Sequence, residues 1–215
     1  MKKILVAGMF QSGSTALFNL IRLCHLNKGH NVYSCLFNMY DRHNPADVHI
    51  VKIHRYDSVF SAWADITFNV KRDIRDCLAS RRRRKNTLKT PKEIISWADH
   101  LIHLHKSWRH EATYEFIYEK YKTNPLAAIE VLAECLGLTG VDTAWVYEQV
   151  ETLPKDAPQQ GHHLNTLLSS SHVTNNGRIG GYTDTFSAEE LGIIENHCGR
   201  WLTQEGYPLV AAGRG

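Results

Sequence analysis

No run in this 215-residue sequence approaches the roughly 20 consecutive apolar residues that a membrane-spanning helix requires. The opening "MKKILVAGMF" has the charged start of a signal peptide. Its apolar run is cut short by Gln11-Ser12-Gly13-Ser14 before a hydrophobic region is complete, so no leader is expected. The five cysteines (24, 35, 77, 135 and 198) include no CxxC pair and no even framework. That excludes a disulfide scaffold and leaves free thiols in a reducing, cytoplasmic compartment as the expectation. A strong charge excess is also missing: the net charge is +3, which suits handling of anionic small molecules and does not argue for nucleic acid. There is no internal repeat. With 43% hydrophobic residues, the chain is long enough for one domain with a real core and short for two.

What is present alternates between strand and helix signals. "KKILVAG" is an apolar run ending in Gly, as in a buried parallel strand, and from Thr15 onward Leu17, Leu20, Ile21 and Cys24 recur at helical spacing. "HIVKIH" (49–54), "ITFNVKR" (66–72) and "ATYEFIY" (112–118) read as further strands. A helix is expected from Asp73 to about Lys85. Thr90-Pro91-Lys92-Glu93 is a capping box that opens a second one toward His110, and Asn124-Pro125 opens a third, ending near Gly137. Ser187-Ala-Glu-Glu190, with Phe186 and Leu191 at the staple positions, starts a last helix to about Glu205. Segment 154–185, rich in Pro, Ser, Asn and Gly, is a candidate mobile lid. The class is α/β: a single domain with a mainly parallel central sheet flanked by helices.

The stretch "MFQSGSTALFN" (9–19) sits between the first strand and the first helix. Backbone N–H groups and the positive end of the helix dipole favour an anion there. Gly13 permits close approach, and Ser12, Ser14 and Thr15 add hydroxyls. A simple Ser/Gly turn capping a helix would look the same. Gly8 and Gly13 have the GxxxxG spacing of a P-loop, but Ser14 stands where the phosphate-binding lysine belongs. That weakens a nucleotide-kinase reading.

Four segments, in order, resemble the sulfotransferases that use 3′-phosphoadenosine-5′-phosphosulfate (PAPS). "GMFQSGSTALFN" is similar to their 5′-phosphosulfate loop, and "VKIH" to the strand carrying a catalytic Lys-x-His. "NVKRDIRDCLAS" is similar to their Arg…Ser element for the 3′-phosphate, and "YEFIYEKYKTNPLAAIEVLAECLGL" to their Tyr-Glu strand and following helix. "NNGRIGGYTDTFSAEEL" adds a weaker match to a C-terminal nucleotide loop. The resemblance implies that Gln11, Ser12, Gly13, Ser14 and Thr15 hold the phosphosulfate. It further implies that Arg72 and Ser80, closed over by Arg178 and Gly180, take the 3′-phosphate. Tyr118 would lie near the adenine, with Tyr114-Glu115 offering a second register. His54 would be the general base and Lys52 the charge stabiliser, two residues apart on one strand face. The implied reaction moves a sulfuryl group to a hydroxyl or amine acceptor, with no metal and with adenosine 3′,5′-bisphosphate (PAP) as product.

One position departs from the pattern: most of the family has Lys or Arg where this chain has neutral Gln11. An alternative is therefore a PAP/PAPS-binding protein with little catalysis. Ala16 also lacks the aromatic that some members carry. The acceptor, a small molecule or carbohydrate, would be recognised by segments 31–47, 85–105 and 154–172, and oligomeric state is not legible. "RRRRK" (81–85) covers every face of a helix, so most of it is expected to be solvated, with a rim for acidic substrates or an RNA contact as the functional readings. His100, His103, His105 and His110 lack a metal-binding spacing. His162-His163 falls in the lid, and Trp97 and Trp108 are expected in the core.

Overall fold

In a computed structural model describing residues 1–154, 163–169 and 177–210, the chain forms five strands: β1 (Lys2–Gly8), β2 (Val32–Leu36), β3 (Val48–Lys52), β4 (Ile66–Lys71) and β5 (Tyr114–Ile117). They make one all-parallel sheet in the order β2-β3-β1-β4-β5. β1 is central and buried on both faces, which is why its sequence is a continuous apolar run without alternation. Ile4 and Val6 point to one side, where they pack with Leu17, Phe18, Leu20 and Ile21 of α1 (Ser14–Asn27). The same layer includes α6 (Pro125–Cys135) and α7 (Thr143–Thr152). Leu5 and Ala7 point to the other side, against Val51, Ile53 and Trp108 of α4 (Pro91–Arg109). A further cluster joins α3 (Ile74–Lys85) and α4 to α8 (Ala188–Gln204), and Met9 from the loop after β1 reaches into it.

The caps form as the sequence predicts. Thr90 and Glu93 close one capping box and Ser187 and Glu190 another, and Phe186 and Leu191 are buried in the same cluster. The helix expected from Asp73 begins with the Asp73 side chain accepting from the Arg75 N–H. Four elements carried no expectation: β2, α2 (Ser58–Trp63), α5 (Tyr118–Thr123) and α7. Three strands are shorter than expected, and β4 ends one residue early, at Lys71. β3 stops at Lys52, so His54 lies just past the strand end, and β5 gives way to α5 at Tyr118. Pro158, His162 and Asn175-Asn176 lie outside the described residues.

The topology fixes where a ligand can sit. β3 flanks β1 on one side and β4 on the other, so the chain changes direction at the carboxyl end of β1. Open parallel sheets bind ligands in the crevice at such a switch point. The loop 9–13, the end of β3 and the β4–α3 junction all open there.

Candidate active site

A cavity of about 790 Å³ occupies this crevice, within the ~300–1,000 Å³ typical of ligand sites. Its floor is the loop after β1. Gln11 and Gly13 both have left-handed φ angles, 59° and 92°, which turn the backbone toward the cavity. Any Cβ at Gly13 would collide with the Tyr118 ring, so only glycine fits. The helices α3, α4, α6, α7 and α8 are all capped by a side chain, whereas α1 starts at Gly13 with no side-chain cap and no acid in its first turn. The N–H groups there and the dipole remain available for an anion.

Two groups approach from β3. The Lys52 side chain is 5% exposed, and its Nζ donates to Thr15 Oγ1 at 2.6 Å. Burial, reinforced by the charge of Arg84, lowers its pKa to about 7. An anion bound beside it would favour the charged ammonium. His54 places Nδ1 3.1 Å from the carbonyl oxygen of Gly8. A carbonyl can only accept, so Nδ1 carries the proton of the neutral ring and Nε2 the lone pair. The ring stacks on Phe10 with centroids 4.1 Å apart.

From the β4–α3 junction comes Arg72, 5% exposed, its guanidinium 4.5 Å from the centroid of Tyr118. It is aimed by the carbonyls of Gln11 (3.4 Å) and Arg178 (3.0 Å) and by Asp76 (3.4 Å). Its Nε is buried with no hydrogen-bond partner among the described residues. Ser80, two turns into α3, lines the same cavity. The Tyr118 hydroxyl donates to Gly177 O at 3.1 Å. The other register fails to reach the site: Tyr114 sits on β5 against Phe68 and is not among the lining residues.

Of the sequence-predicted residues, Gln11, Gly13, Ser14, Thr15, Lys52, His54, Arg72, Ser80 and Tyr118 line this one cavity. Three do not. Ser12 is buried, donating to Met9 O at 2.6 Å. The Arg178 side chain pairs with Asp184 at 2.7 Å, contributing its backbone carbonyl to Arg72 instead. Gly180 donates its N–H to Asp76 at 2.9 Å, so it holds the carboxylate behind Arg72.

Apolar side chains also line the cavity, among them Leu36, Tyr121, Val150, Leu153, Leu167 and Leu168. The cavity thus offers cationic groups to anions and apolar surface to a flat base. α7 and segment 163–169 supply much of this apolar lining, and neither carries a motif that marks it.

The arginine run is docked, which corrects the expectation of a solvated run. Arg81 lies 4.1 Å over Trp97, Arg82 pairs with Glu190 at 2.6 Å and stacks on Phe186, and Arg83 donates to Thr185 Oγ1 and Gly181 O. Arg81, Arg84 and Lys85 line the cavity. Trp108 is core, but Trp97 is only partly buried and lies beside Phe10. His100 contacts Trp97 and Phe10, while His105 turns inward to Glu115 at 3.0 Å. His105, Glu115 and Glu205 are close enough to share a cation. The Lys71 ammonium already holds that place, 2.9 Å from each carboxylate.

By sequence, no family model and no curated protein matches this chain. By fold, the chain is similar to the crystal structure of mouse sulfotransferase SULT7A1 complexed with PAP, with a TM-score of 0.65 and 12% identity. That match covers 94% of this chain and 85% of the other. It is also similar to retinol dehydratase in complex with androsterone and inactive cofactor PAP, with a TM-score of 0.63 and 13% identity over 98% and 84% of the two chains.

Proposed function

We propose that the protein is a PAPS-dependent sulfotransferase, and this conclusion proceeds from the fold it has in common with PAP-bound sulfotransferases. The observation that carries it is the convergence in one cavity of an uncapped helix start, a Lys52–His54 pair and a buried Arg72 with Ser80. PAPS, when bound, supplies the activated sulfuryl group. The loop 11–15 would hold its phosphosulfate, Arg72 and Ser80 its 3′-phosphate, and the apolar side chains of the cavity its adenine. Arg suits the 3′-phosphate because its planar fork matches two oxygens at once.

His54 would take the proton of an acceptor hydroxyl or amine on Nε2, the Nδ1–H to Gly8 O fixing that tautomer. The acceptor atom bonds to sulfur as the sulfur–oxygen bond to the 5′-phosphate breaks. The bridging oxygen keeps the electron pair, leaving PAP. Lys52 would stabilise charge on the oxygens in flight, and positioning and electrostatics carry the rest. The reading requires no metal. The acceptor is a small molecule or carbohydrate, and the Phe10 ring stacked on His54 and lining the cavity favours one with a flat or apolar face.

The test is transfer of labelled sulfate from PAPS to a panel of phenols, alcohols, amines and sugars. His54→Ala should reduce it by about 10²–10⁴-fold while PAP still binds. Neutral Gln11 motivates a second reading, a nucleotide-binding protein with weak catalysis. PAP binding in wild type, with no transfer to any acceptor or to water, would favour that reading.

A further inference from the structure

Gln11 leaves the loop without a side-chain cation, yet the cavity is far from neutral. Among the described residues, Lys52, Arg72, Arg81, Arg84, Lys85 and Lys122 line it, against one carboxylate, Glu151, from the C-terminal part of α7. Like charges gathered around one cavity repel one another, most strongly where they are buried, and a bound anion offsets that repulsion. Within the run on α3, Arg82 and Arg83 are tied to Glu190 and to the Gly181–Thr185 turn, and Arg81 is stacked on Trp97. Arg84 lies one helical turn beyond Ser80, so the two share a helix face, and both line the cavity together with Gln11, Lys52 and His54.

We propose that Arg84 is a catalytic residue that supplies, from α3, the positive charge at the phosphosulfate end that Gln11 does not. The inference rests on reading the cavity as a PAPS site. Arg84 would donate to the sulfuryl and bridging oxygens as the sulfur–oxygen bond to the 5′-phosphate breaks, where charge builds on the leaving oxygen. A guanidinium suits this role because its fork spans two oxygens and it stays charged when partly buried. Ser80 then marks the boundary on α3 between 3′-phosphate binding and sulfuryl transfer. The charge of Arg84 is felt at Lys52, where it helps lower the lysine pKa, so the two cations act on one region of the cavity.

Four variants test this: Arg84→Gln, Arg84→Lys, Gln11→Lys, and Gln11→Lys combined with Arg84→Gln. Three readouts are compared: PAP affinity by calorimetry, the single-turnover rate of PAPS conversion to PAP with p-nitrophenol or water as acceptor, and the Lys52 titration followed by NMR. Arg84→Gln should slow conversion by about 10²–10³-fold, as expected for removal of one transition-state donor, with a much smaller effect on PAP affinity. It should also raise the Lys52 pKa above that of wild type. Arg84→Lys should retain more of the rate, and adding Gln11→Lys to Arg84→Gln should restore most of it. An unchanged rate in Arg84→Gln, an unmoved Lys52 titration, or failure of Gln11→Lys to rescue each overturns the proposal while leaving the PAPS reading intact. Wild type that fails to bind PAP overturns the PAPS reading itself, and this inference with it.

Discussion

Lys52 is buried, and its charge state depends on its surroundings. An ordinary lysine titrates near 10.4, and burial brings this one to about 7. Between those two values the unfolded chain holds a proton that the folded chain has released. Stability should therefore rise with pH from about 7 to about 10, and Lys52→Met should remove that slope in chemical denaturation series. An anion bound at the loop would restore the charge. Binding of PAP at about pH 8 should then take up protons, as read from calorimetry in two buffers of different ionisation enthalpy, and Lys52→Met should abolish the uptake. Gly13 is constrained just as tightly, by its φ of 92° and by the Tyr118 ring. Gly13→Ala should lower stability by about 1–3 kcal/mol and weaken PAP binding sharply, because ring and loop would have to separate.

α3 brings two parts of the site together. Arg72 precedes it, Asp73 caps it, Ser80 and Arg84 face the cavity, and Asp76 accepts from the N–H groups of Gly180 and Tyr182 at 2.9 and 3.1 Å. α4 is a contrasting case, because its capping box lies outside the lining of the main cavity. Thr90→Ala should cost about 1 kcal/mol of stability in a urea titration and leave PAP affinity as it is. These elements were legible because caps and periodicity are local: Thr90 to Glu93, Ser187 to Glu190, and Leu17 to Cys24 each announce a helix from side chains within one or two turns. α5 was not legible, because Ile117 passes into Tyr118 with no breaker or capping side chain between strand and helix. The arginine run misled for a related reason. Its fate is set by Trp97, Phe186 and Glu190, which are distant in sequence. The spacing of Arg84 four residues after Ser80 was the one local clue to its place in the cavity.

At the scale of the whole molecule, a single topological choice accounts for the site. With β3 and β4 on either side of β1, the loop 9–13, Lys52 and His54, and Arg72 must meet at one sheet edge. The nine predicted residues that line the cavity come from four separate parts of the chain, so their ordered motifs could be read without knowing their distances. The apolar lining could not, since Val150 and Leu153 meet Leu36 and Leu167 only through tertiary packing. Arg178 and Gly180 work through their backbone groups, which no motif specifies.

Recognition of the 3′-phosphate is what separates PAP from AMP. The most direct measurement is thermal and chemical stability with each ligand, in wild type, Arg72→Ala and Ser80→Ala. A ligand bound only to the folded state adds about 2.7 kcal/mol at a hundredfold excess over its Kd. PAP should stabilise wild type strongly and AMP weakly, and both substitutions should erase most of the difference. Equal stabilisation by the two ligands, or none by PAP, would contradict the assignment of Arg72 and Ser80, and the sulfotransferase reading would fall with it.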